Sequence, residues 1–190
     1  PDTPRCRYVI SCGANTDASS GVAGVWRHAD ARARGLKRVQ VEPHLSITAA
    51  TAGEWVPIRP KTDAAFLYAL IHRILVERDW KTTCDVPFLA NDTNAPYLVG
   101  PNGYFLRDPA TKKPLIHDRA DGVSKPFDAD IRSPALEGTF RAGGIEIGPD
   151  EHVWTHETAE ASPAFQRLRD HIARYSPEWA AGECEIPAET

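Results

Sequence analysis

The chain has 190 residues, 42% apolar and 25% charged, with a formal net charge of −4. That composition fits a globular domain with a sizeable core, and no apolar run approaches the roughly 20 residues needed to cross a bilayer. It also argues against a nucleic-acid partner. The one basic cluster, Arg32, Arg34, Lys37 and Arg38, flanks a predicted helix end, where cations are favoured in any case.

The cysteines Cys6, Cys12, Cys84 and Cys184 have neither zinc-site nor disulfide-framework spacing and read as buried thiols. There is no methionine, and the chain starts at proline without a secretory signal. Glu185–Thr190 reads as the opening of a helix that does not continue. These features lead us to expect a piece of a longer polypeptide.

Strand and helix signals alternate over residues 1–90. Tyr8–Cys12 reads as a buried strand ended by Gly13, and a polar turn runs from there to Gly21. Val22, Val25, Trp26, Ala29 and Ala33 then recur at helical spacing, and Gly35 followed by Leu36 gives a left-handed stop. Val39 and Val41 mark a second strand that ends at Glu42-Pro43. A short piece, Trp55–Ile58, is demoted to an edge by Pro57. The next helix, capped by Thr62 and Asp63, is expected to reach about Trp80, with Leu67, Leu70, Ile71, Ile74 and Leu75 on its apolar face. This order predicts an α/β fold with a parallel sheet and flanking helices.

Residues 91–160 read as an irregular loop and hairpin excursion draped over a neighbour, including the extended pieces Tyr104–Leu106 and Pro114–Ile116. Residues 161–190 read as a helical segment. Ser162-Pro163 opens one helix, with Phe165, Leu168, Ile172 and Tyr175 as its stripe, and Ser176-Pro177-Glu178 opens another.

Ligands of open parallel sheets collect at the carboxyl ends of strands. Three features fall there: the Gly13-Ala14-Asn15 loop, Glu42, and the Arg59–Asp63 loop. A helix N-terminus after the first loop would favour a phosphate, and Glu42 could accept hydrogen bonds from ribose hydroxyls. Each also has a plain structural reading, as a turn glycine, a solvated strand end and a capping residue. The Gly-x-Gly-x-x-Gly fingerprint of nicotinamide sites is absent. His152 and His156 share one side of an extended segment near Glu157, which suits a surface hairpin better than a metal site.

The ordered loops resemble the dimethyl sulfoxide reductase family of molybdopterin oxidoreductases. The likeness rests on Gly13-Ala14-Asn15, on Val41–Ala50, on Glu54–Ala65, on Thr93–Val99, and on Tyr175–Trp179 with Ile186–Thr190. It implies a Rossmann-like domain that binds the guanosine and pyrophosphate end of molybdopterin guanine dinucleotide, whose pterins chelate molybdenum or tungsten. By that resemblance Gly13, Ala14 and Asn15 lie at the phosphates and a sugar. Glu42, Pro43 and His44 replace the family's Asp-Pro-Arg at guanosine, while Pro60, Lys61, Thr62 and Asp63 replace its Pro-Gly-Thr-Asp, with Asp63 reading the guanine edge. The resemblance assigns no catalytic residue or metal ligand to this chain. It implies an iron–sulfur cluster upstream. As partners it implies the rest of the parent catalytic subunit, with an iron–sulfur electron-transfer subunit beside it. A noncatalytic interaction module that keeps the fold without the cofactor is the alternative.

Overall fold

Tyr8–Cys12 (β1), Lys37–Val41 (β2) and Glu54–Val56 (β3) pair in parallel in the order β1-β2-β3. The structure is a computed structural model that describes residues 3–190. Val39 and Val41 alternate to one face of β2, where they pack with Val56, Ile58, Phe66 and Cys184. β1 and β3 are the two edges of this sheet, and the edge position of β3 accommodates Pro57 just beyond it. β1 has the bounds expected from the sequence, but Tyr8, Ile10 and Cys12 are exposed, so it is not the buried strand anticipated.

The connections differ from the prediction in instructive ways. The polar turn after β1 contains one helical turn, Thr16–Ser19 (α1), before Gly21–Ala33 (α2). Gly21 is left-handed at φ +66°, which separates the two. At the end of α2, Leu36 N–H donates to Ala31 O and Gly35 N–H to Arg32 O, with Gly35 at φ +97°. This is the double-bonded left-handed stop anticipated from Gly35-Leu36.

Ser46 caps a short helix, Ile47–Ala50 (α3), by accepting the Ala49 N–H. The strong helix Asp63–His72 (α4) ends earlier than expected and passes into a π-helical turn, Arg73–Glu77. Its buried residues are Phe66, Ala69 and His72, whereas Leu67 and Ile74 are exposed. A helix that is apolar nearly all round offers two stripes, and spacing alone does not choose between them. Cys84 is half-buried and only Cys184 is buried, so the buried-thiol expectation fails at Cys6 and Cys12, which are exposed.

Two compact units emerge, one reaching from the N-terminus to Arg73 and including Tyr175–Thr190, the other Ile74–Arg174. The first holds the parallel sheet, and α4 packs there against Pro177–Cys184 (α8), capped by Ser176. The second begins with Trp80–Thr83 (α5) and Val86–Asn91 (α6). Its strands are antiparallel: Leu98–Val99 (β4), Leu115–Asp118 (β5), Val123–Pro126 (β6), Phe140–Ile147 (β7) and Val153–Pro163 (β8). Leu98, Leu106, Leu115, Ala142 and Ala161 form a core of its own.

Because β8 runs through Pro163, with Ser162 paired to Val99, the helix Ala164–Ile172 (α7) starts later than predicted and lacks a side-chain cap. Phe165 and Ile172 are buried there as expected, but Leu168 is exposed. The architecture is therefore mixed α/β, with small parallel and antiparallel sheets. Among the described residues no helix is long and apolar enough to cross a membrane.

Candidate functional site

The carboxyl ends of β1 and β2 are fastened together. Gly13 N–H donates to Val41 O at 2.9 Å, and Glu42 N–H donates to Val56 O at 3.1 Å, which brings in the end of β3. Gly13 is left-handed at φ +65°, and a side chain there would meet no atom within 4 Å. Glycine is thus used here for its backbone conformation, and it leaves open space above the turn.

Ala14 and Asn15 follow. Asn15 Oδ1 accepts the Thr48 hydroxyl at 2.8 Å, and Thr48 in turn accepts the Asp17 N–H at 2.8 Å. With its oxygen anchored, the Asn15 amide presents its NH2 as the group for another partner. The helix behind this loop is only the single turn α1, so its dipole is weaker than the sequence suggested.

Glu42 is buried, as are Gln40 and Arg38, which precede it at two-residue intervals. The three line the face of β2 opposite Val39 and Val41, forming a polar spine beneath the loops. At its far end Arg38 makes a two-pronged pair with Asp17, at 2.9 and 2.8 Å, and also donates to Thr48 O and the Thr51 hydroxyl. The Arg38 hydrogen bond holds the Asp17 carboxyl well below the usual carboxylate range; burial opposes this, while Thr51 and His28 assist. Arg38 therefore belongs to the interior and not to a basic surface cluster.

At the near end, Glu42 Oε1 accepts the Ser46 N–H at 3.1 Å and Oε2 accepts Gln40 Nε2 at 3.1 Å. Burial pushes the Glu42 carboxyl up, but bonds from Ser46 and Gln40, helped by the charge of His44, leave it below its ordinary range. Each carboxylate oxygen retains a further lone pair for a hydroxyl donor. Pro43 and His44 are exposed on the loop that Ser46 closes.

The third loop, Pro60-Lys61-Thr62-Asp63, is held from α8. Arg59 N–H donates to Cys184 O at 2.9 Å, and the Cys184 thiol donates to Thr62 O at 3.5 Å. Thr62 does not cap α4 with its side chain; its hydroxyl donates to Arg59 O instead. Lys61 is left-handed at φ +70°, a conformation that costs a side-chain-bearing residue about 1–2 kcal/mol. Lysine thus adopts the backbone conformation that glycine would take without strain.

Asp63 is exposed at the start of α4. Burial raises the Cys12 thiol pKa, and the charge of Asp63 raises it further. The head of α4 is therefore within electrostatic reach of the end of β1. In the second unit, His156 Nε2 lies 2.8 Å from the buried Glu146 carboxylate, within a hairpin. Among the described residues no group of three or more His, Cys, Asp or Glu is arranged to hold a metal.

No protein-family model matches the chain. A sulfite dehydrogenase subunit of Allochromatium vinosum is 32% identical to it over 196 residues, covering 100% of this chain and 19% of its own length. The molybdopterin-containing subunit of thiosulfate reductase from Salmonella typhimurium is 36% identical over 77 residues, covering 40% of this chain and 10% of its own length. The chain belongs to the molybdopterin oxidoreductases. A further relative in this family, a putative dimethyl sulfoxide reductase catalytic subunit of Halobacterium salinarum, is 28% identical over 159 residues, or 84% of the chain. The chain spans 19% and 18% of the length of the sulfite dehydrogenase and dimethyl sulfoxide reductase relatives.

Sequence reasoning missed Gln40, Arg38 and Cys184 as parts of this edge. Glu42 two residues after Gln40 was the one available signal for the spine, while nothing local to Cys184 points to the Thr62 loop.

Proposed function

We propose that this chain is the part of a molybdenum or tungsten oxidoreductase catalytic subunit that binds the guanosine and pyrophosphate end of molybdopterin guanine dinucleotide. The observation that carries the reading is that Gly13 and Glu42 lie at strand ends bonded to one another's sheet, with Asp63 heading α4 of the same unit, in a chain related throughout its length to such an enzyme. The parallel order β1-β2-β3, with α2 as a crossover, is read as part of a Rossmann-like fold.

The groups present suit this ligand. The open left-handed turn at Gly13, Ala14 and the NH2 of Asn15 would receive phosphate and sugar oxygens, with the Lys61 ammonium adding positive charge. Glu42 would accept from ribose hydroxyls, and Pro43 and His44 would border guanosine. The Asp63 carboxylate would accept two N–H groups from the guanine edge, with Pro60 and Thr62 shaping its loop.

When bound, the pterin and its metal supply the redox chemistry, and the residues of this chain bind and orient the nucleotide end. Metal ligation, any iron–sulfur cluster and an electron-transfer partner belong in this reading to other parts of the enzyme.

Calorimetric titration of the chain with guanosine diphosphate and adenosine diphosphate tests it. Guanosine diphosphate should bind more tightly, and Asp63→Asn should weaken it by about tenfold, the loss expected for one two-pronged base contact. Equal affinity for the two nucleotides, or no effect of Asp63→Asn, would count against the assignment.

A further inference from the structure

Gln40 is fully buried at the centre of the polar face of β2, between Ser11 of β1 and Trp55 of β3 in register. Its Nε2 donates to Ala14 O at 3.2 Å and to Glu42 Oε2 at 3.1 Å. One acceptor lies in the first loop and the other at the end of β2, so a single NH2 spans both. The two bonds also fix the amide orientation, because a flipped amide would set its oxygen against two acceptors.

The consequence is that Oε1 is buried without a hydrogen-bond partner. A buried carbonyl left unpaired is unfavourable, and an apolar side chain of similar volume would avoid it. What glutamine supplies at this position is its two donors, one to Ala14 O and one to the buried Glu42 carboxylate, and these offset the unpaired oxygen. Arg38 is the charged group further along the same face, paired with Asp17 of α1, and His44 is the cation whose charge reaches Glu42.

We propose that Gln40 is a positioning residue for the nucleotide: it fixes the Ala14 carbonyl and the Glu42 carboxylate in one geometry without touching the ligand. This rests on the reading of that edge as a guanosine nucleotide site.

The test compares the 190-residue chain with Gln40→Met and Gln40→Glu. Guanosine diphosphate affinity is measured from pH 5 to 8, and amide exchange is measured without nucleotide. Both variants should bind about tenfold more weakly at pH 8. Gln40→Glu should recover towards pH 5, because a proton shared with Glu42 restores one donor, while Gln40→Met should not. The amides of Thr16 and Ser46, which report Ala14 O and Glu42 Oε1, should exchange faster in both variants. Those of Gly35 and Leu36 should be unchanged.

Wild-type affinity in both variants would overturn the proposal while leaving the nucleotide site standing. Absence of guanosine diphosphate binding to the wild-type chain would instead remove the nucleotide reading, and faster exchange would then mark Gln40 as a structural clamp only. Loss of protection at Gly35 and Leu36 in both variants would also overturn the proposal, since stability would then account for Gln40.

Discussion

Replacing Arg38 with methionine removes the cation at the base of the polar spine while keeping most of the side chain's apolar stem. The side chains of Arg38 and Asp17 are 2% and 10% exposed. The substitution deletes two bonds to Asp17 and one each to Thr48 O and the Thr51 hydroxyl. Among the described residues Asp17 keeps the Thr51 hydroxyl at 2.6 Å and His28 at 3.3 Å. An exposed ion pair would contribute roughly 0.2–1 kcal/mol, but breaking a buried one costs about 3–5 kcal/mol because the remaining charge stays desolvated. Native-state amide exchange in β1 and β2 should therefore report a loss of about 3–5 kcal/mol at pH 7.

The pH dependence supplies a sign. The Asp17 carboxyl is depressed far below its ordinary value of 3.8. Its contribution is complete above that value and is lost as pH falls through the lower folded one. In Arg38→Met, burial dominates, and that acid-side loss should flatten or reverse. A loss under about 1 kcal/mol with an unchanged acid slope would refute a buried, coupled pair.

Lys61→Gly should stabilise the first unit by up to about 1 kcal/mol in urea unfolding, through relief of the left-handed conformation, while guanosine diphosphate affinity falls with the lost ammonium. Asp63→Asn should lower the Cys12 thiol pKa, because one of the two influences raising it is removed. Thiol alkylation at pH 8 should then be faster, and an unchanged rate would place Asp63 away from β1. Gly100→Ala would set a methyl 2.6 Å from the Glu146 carboxyl carbon, and Glu146 is fixed by the Asn102 and Tyr104 amides. A loss of about 1–3 kcal/mol in exchange from β7 and β8 is expected.

The β1 boundaries, the Gly35-Leu36 stop and the apolar face of Val39 and Val41 were legible because each depends on neighbours in sequence. The polar spine was not. Arg38, Gln40 and Glu42 alternating with valines read like a strand with one solvated face. Their burial depends on α1 and α3, helices of four residues each with no periodicity to reveal them. The apolar face expected for this helix, α4, was legible in part: Leu75 is buried and Leu70 packs against the core, but Leu67 and Ile74 are exposed while Phe66 and Ala69 are buried, a choice that tertiary packing makes. The three candidate loops were legible in order and in residue type. The anchor of the third was not, since Cys184 lies 122 positions from Thr62.

In the proposed function three loops of the first unit form one guanosine nucleotide site. Backbone NMR shifts of the labelled chain titrated with guanosine diphosphate test it most directly. Saturable shifts should appear together at Gly13–Asn15, Glu42–His44 and Lys61–Asp63, with one common dissociation constant. Shifts confined to the β7–β8 hairpin, or separate constants for the three loops, would contradict a shared site.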